Sequence, residues 1–95
     1  MVKKILIVDD DPDMVMANRV VLESAGYEVE DASSGAEALE KMRVDLPDLV
    51  LMDVMMAKPL DGFTTTNKIA DDPELRNVPI VMVSSITTSQ YASSF

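Results

Sequence analysis

The stretch Lys3-Lys4-Ile5-Leu6-Ile7-Val8-Asp9-Asp10-Asp11-Pro12 decides how the rest of the chain is read. Four β-favouring apolar residues in a row, with no polar alternation, suit a strand covered on both faces, as in a parallel sheet. The run stops dead at three aspartates. Asp11-Pro12 then reads as an N-cap and a first-turn proline, opening a helix that runs to about Ala25 and closes at Gly26.

Working outward, the same alternation repeats. Tyr27 to Asp31 alternates as a shorter, half-exposed strand. Ser34-Gly35-Ala36-Glu37 is a capping box, with Ala38, Leu39 and Met42 at helical spacing behind it. Leu46-Pro47 breaks that helix. Leu49-Val50-Leu51-Met52 is a second fully apolar strand, and it too ends at an aspartate, Asp53. Asp61-Gly62 introduces a helix through about Ala70, weakened by Thr64, Thr65 and Thr66. Asp72-Pro73 and Val78-Pro79 bracket a loop, and Ile80 to Val83 reads as a third buried strand ending at Ser84-Ser85. The polar tail Ile86 to Phe95 has the length of most of one more helix. The order β-α-β-α-β-α-β predicts an α/β fold, a doubly wound parallel sheet in one domain over residues 1–95. Right-handed crossovers then gather the C-terminal ends of all strands on one edge, where such sheets bind ligands.

Composition removes most chemistries. The 95 residues contain no Cys and no His, which excludes Ser-His and Cys-His nucleophiles, thiolate zinc, Fe–S ligation and disulfides. Eight Lys+Arg against 17 Asp+Glu give a net charge of −9, which repels nucleic acid and anionic lipid. Apolar stretches such as Leu49 to Met52 are far too short to cross a bilayer. A cytoplasmic protein without nucleic-acid or membrane partners is expected.

What survives is carboxylate chemistry on the ligand-binding edge. Asp9 and Asp10 leave the first strand, Asp53 leaves the third, and Ser84 follows the fourth. If the first and third strands are neighbours, three carboxylates converge, and a cation has to offset their repulsion. An all-oxygen donor set selects a hard ion, Mg²⁺ foremost. An aspartate after a strand is commonly only a cap or turn former, and Asp11 fits that role. Aspartates at the ends of two separate buried strands, with a hydroxyl ending another, are a less probable coincidence.

With these segments together, the sequence resembles the response-regulator receiver domains of two-component signalling over its whole length. The matching segments are Ile5 to Asp11, Asp48 to Met56, Asp61-Gly62-Phe63 and Pro79 to Ser85. The resemblance implies a flavodoxin-like receiver fold with strand order 2-1-3-4-5, and Asp53 as phospho-acceptor from a sensor histidine kinase or a phosphotransfer protein. It implies Mg²⁺ held by Asp10 directly, by Asp9 at least through water, by Asp53 and by the backbone carbonyl of Met55. Ser84 would contact the phosphoryl group and move with it as the switch. Such a chain accepts a phosphoryl group once and is not a turnover enzyme.

Two departures stand out. The loop Met55-Met56-Ala57-Lys58-Pro59-Leu60-Asp61-Gly62 is one residue longer than the family pattern, with its proline displaced. The residues present also stop before the family's fifth strand and helix, which carry a phosphoryl-contacting lysine and an aromatic switch residue. Lys3 and Lys4 sit at the far end of the first strand, roughly 15 Å away at about 3.3 Å per residue. A receiver-like binding module without productive phosphorylation therefore stays open. So does an Asp-nucleophile phosphotransferase of the haloacid-dehalogenase type, suggested by Asp9-x-Asp11, although that class needs a cap and a longer chain. An open fourth-strand edge and the apolar first helix, including Met16 and Val20, lead to an expected homodimer or exchanged dimer.

Overall fold

A computed structural model describes residues 3–53 and 61–83. The elements run β1 (Lys4–Val8), α1 (Pro12–Ser24), β2 (Glu28–Ala32), α2 (Gly35–Val44), β3 (Leu49–Asp53), α3 (Asp61–Asp71) and β4 (Ile80–Val83). All pairings are parallel, in the order β2-β1-β3-β4. The direction of winding reverses after β2. With right-handed crossovers, that reversal puts α1 on one face of the sheet and α2 and α3 on the other. The flavodoxin-like order is therefore present in its first four strands.

Local chemistry sets the element ends as expected. The Asp11 side chain accepts a hydrogen bond from the Asp13 backbone N–H at 2.9 Å, and Pro12 opens α1. Gly26 takes φ +94°, the left-handed conformation that stops the helix after Ala25. The Ser34 hydroxyl accepts from the Glu37 N–H at 3.2 Å, while the Glu37 carboxylate reaches one residue further back, to the N–H of Ser33. The threonine run is helical all the same, because Thr65 and Ile69 form a buried stripe four residues apart.

Side chains of each central strand divide between the faces. Leu6, Val8, Val50 and Met52 join Ala38 and Met42 of α2 and Ile69 of α3 in the larger core. Leu75 and Val78 complete that core from the loop before β4, where Asp72 organises a turn by accepting from Leu75 and Arg76. Ile5, Ile7 and Val29 form a smaller cluster beneath Val15 and Leu22 of α1.

One sequence expectation is corrected. Ile80 to Val83 is not a buried strand: Ile80 is half-buried, and Val81, Met82 and Val83 are exposed. Among the described residues β4 has a single neighbour, β3, so it is an edge there, as the open fourth-strand reading of the sequence expected. The other edge, β2, is closed differently. Glu28 N–H and Ala32 C=O bond toward β1, so the alternate carbonyls of Val29 and Asp31 point outward. Arg19 of α1 donates to the first at 3.0 Å, and the Lys41 ammonium of α2 donates to the second. Side chains thus occupy the acceptors that a further strand would need. Among the described residues, no helix is long and apolar enough to cross a membrane.

Candidate functional site

The site forms where the winding reverses, at the C-terminal ends of β1 and β3. Val8 lies in register with Met52, so Asp9 and Asp53 come side by side as the next residues. Asp10 follows in the joint to α1. One carboxylate oxygen from each of Asp9, Asp10 and Asp53 lies within 4.8 Å of the other two. Asp53 is 2% exposed and Asp9 5%, whereas Asp10 is open to solvent. Asp53, the last residue of β3, is also in register with Val83 of β4.

The electrostatics follow from this placement. Burial pushes the Asp9 carboxyl up to about 6, and the neighbouring Asp53 and Asp10 charges, with a hydrogen bond to Asp53, add to the rise. The Asp11 N–H, donating to Asp9 Oδ1 at 2.9 Å, works in the opposite direction. Asp9 therefore holds its proton more tightly than an isolated carboxyl would.

The donor set fits a small hard cation. An ion with bonds of about 2.1 Å spans oxygens up to about 4.2 Å apart, so a slight contraction or one bridging water closes the cluster around it. Neither thiolate nor imidazole is available to favour a softer metal.

A model of the family described as "Response regulator receiver domain" matches residues 5–95. The chain belongs to the response-regulator receiver family. It is 41% identical over 83 residues to the response regulator PleD of Caulobacter vibrioides, covering 87% of this chain and 18% of that protein. It is 37% identical over 83 residues to the polar-differentiation response regulator DivK of Brucella ovis, covering 87% of this chain and 67% of DivK. The receiver chain thus spans less than a fifth of one curated relative and about two thirds of the other. Among solved structures, it is similar to the N-terminal domain of a response regulator receiver protein from Methanoculleus marisnigri. That match has TM-score 0.81 and 38% identity, and covers 98% of this chain and 79% of the other. The chemotaxis response regulator CheY4 of Vibrio cholerae matches at TM-score 0.82 and 30% identity, covering 98% and 77%.

Of the site residues expected from sequence, this receiver domain brings Asp9, Asp10 and Asp53 together. Met55 and Ser84, expected as carbonyl ligand and phosphoryl contact, lie outside the described residues, as does Lys58. Two residues that sequence reasoning left unremarked border the site. Arg19 and Asp31 line an open cleft of about 440 Å³ beside Asp9 and Asp10, with Pro12, Val15, Met16 and Ser33 as its other walls. The available signal was that Arg19 is the single basic residue of α1 and stands on its inward stripe, with Val15, Asn18 and Leu22.

Proposed function

We propose that this receiver domain accepts a phosphoryl group on Asp53, with Mg²⁺ held by Asp9, Asp10 and Asp53. The donor is a sensor histidine kinase or a phosphotransfer protein. The observation that carries this reading is the convergence of three carboxylates within 4.8 Å, two of them buried, at the reversal of a parallel sheet. An Asp53 oxygen attacks phosphorus; the O–P bond forms as the P–N bond to the donor imidazole breaks, and the imidazole leaves with the electron pair. Mg²⁺ in the cluster supplies neutralisation of charge on the phosphoryl oxygens. Below about pH 6 Asp9 has to give up its proton for the ion, so in that range metal loading is coupled to deprotonation. The product is the modified chain itself, so the event is stoichiometric and not a turnover. The Met55 carbonyl and the Ser84 hydroxyl complete the proposed set as ligand and phosphoryl contact.

The same proposal places the chain's work in the cytoplasm and includes a second copy of the chain as a partner. The exposed Met16, Val20 and Val21 of α1 and Val81 to Val83 of β4 support that association. Incubation with an acyl phosphate or a phosphohistidine-bearing donor tests the main reading. One hydroxylamine-labile phosphoryl group per chain is expected, dependent on Mg²⁺ and absent from Asp53→Asn. Labelling that persists in Asp53→Asn overturns the assignment.

A further inference from the structure

Helix α1 is held to the sheet without one fully buried side chain. Among the described residues its apolar contact with the buried core comes from half-buried Val15 and Leu22, resting on Ile5, Ile7 and Val29. Near the site, the 440 Å³ cleft separates its N-terminal half from the ends of β1 and β2. A polar tie runs along the wall of this cleft. Arg19 Nη1 donates to the Val29 carbonyl at 3.0 Å, and Nη2 donates to the Asp31 carboxylate. A planar guanidinium can hold two acceptors of β2 at once, which a lysine ammonium on a flexible stem does not reproduce.

The joint between β1 and α1 is short. Only Asp9, Asp10 and Asp11 separate Val8 from Pro12. Asp11 caps the helix through its carboxylate, and its N–H holds Asp9 Oδ1. Wherever α1 sits, Asp10 and the orientation of the Asp9 carboxyl must follow.

We propose that Arg19 is a positioning residue of the acidic site. By clamping α1 onto β2 it sets Asp9 and Asp10 in place for the cation. This inference rests on the metal reading given above and concerns a residue that does not itself reach the ion.

Calorimetric titration with MgCl₂ tests it, at a temperature where circular dichroism shows every variant folded. Arg19→Ala is expected to weaken Mg²⁺ binding about tenfold, the low end for loss of a supporting partner around a metal site. Amide hydrogen exchange at Asp11 and Val15 is expected to quicken in the same variant. Arg19→Lys, which keeps the charge without the fork, should fall between it and wild type, and carries the comparison if Arg19→Ala does not fold. Arg43→Ala removes a guanidinium–carboxylate pair on the opposite face (3.0 Å to Asp72) and should leave Mg²⁺ affinity unchanged. Wild-type affinity in both Arg19 variants overturns the proposal. Equal weakening in Arg43→Ala overturns it too, since the effect would then be general loss of stability. Failure of the wild type to bind Mg²⁺ removes the metal reading instead. In that case the exchange rates alone decide: quickened exchange upholds the clamp, and unchanged exchange overturns it.

Discussion

The two faces of this receiver sheet are built on different terms. Under α2 and α3, ten buried residues from β1, β2, β3, both helices and the loop before β4 make one continuous core. Under α1, among the described residues, only Ile5, Ile7 and Val29 are buried, and the helix turns Met16, Val20 and Val21 to solvent at 60%, 56% and 67% exposure. The first face gathers most of the free energy of burial, at roughly 25 cal/mol per Å² of apolar surface. The second holds its helix by a narrow stripe and a guanidinium clamp, and it borders the cleft at the site. A helix fastened lightly and adjacent to the chemistry is available to a partner, whereas the packed face has no such freedom.

The largest effect should come from cutting into the packed face. Met42→Ala is expected to cost about 3 kcal/mol, within the 2–5 kcal/mol range for emptying a fully buried site. Leu22→Ala, on the half-buried stripe of α1, should cost about 1 kcal/mol. Urea unfolding of the two variants measures the difference, and equal losses would break the contrast between the faces.

Next in size is the protonation of Asp9. Its folded-state value of about 6 lies above the unfolded 3.8, so the folded protein binds this proton more tightly. The stabilisation is fully present below about 3.8 and is lost as pH rises through about 6. At 1.36 kcal/mol per pH unit, the loss is on the order of 3 kcal/mol in metal-free protein. Chelator-treated Asp9→Asn should lack this fall and gain on wild type at pH 7, whereas millimolar Mg²⁺ should restore the wild type. Parallel pH–stability curves for the two proteins would show that Asp9 is not the strained group.

The smallest effect belongs to the outer side of α1. Val21→Ser should leave stability within about 0.5 kcal/mol, as for surface positions generally. Light scattering across a concentration series should show weaker self-association in the same variant. A loss of 2 kcal/mol or more would mean that this side of α1 is covered in the folded protein.

Much of the site was legible because its signals are local or repeat with the strand. Ile5 to Val8 and Leu49 to Met52 each end in aspartate, and a parallel sheet sends both ends to one edge. That reasoning needed only the adjacency of β1 and β3, taken over from the family resemblance and present in the pairing. That clustered carboxylates raise one another's pKa was legible; that burial is the larger cause at Asp9 was not, since it depends on how completely neighbouring elements exclude water from one carboxyl. Nor was the role of Arg19, because its partners lie ten and twelve residues away on another element.

The sequence by itself determined the alternation of strands and helices, the caps at Asp11 and Ser34, the stop at Gly26 and the aspartates at the strand ends. Each of these depends on a few adjacent residues, whose backbone and hydrogen-bonding preferences act before any tertiary contact forms. Only the tertiary structure decided how far Val81, Met82 and Val83 are exposed, that Leu75 and Val78 belong to the core, and that Arg19 and Lys41 close the rim of β2. An apolar run looks the same at the centre of a sheet and at its margin. What separates the two is the number of neighbours, which is set by how distant segments pack and not by the residues of the run.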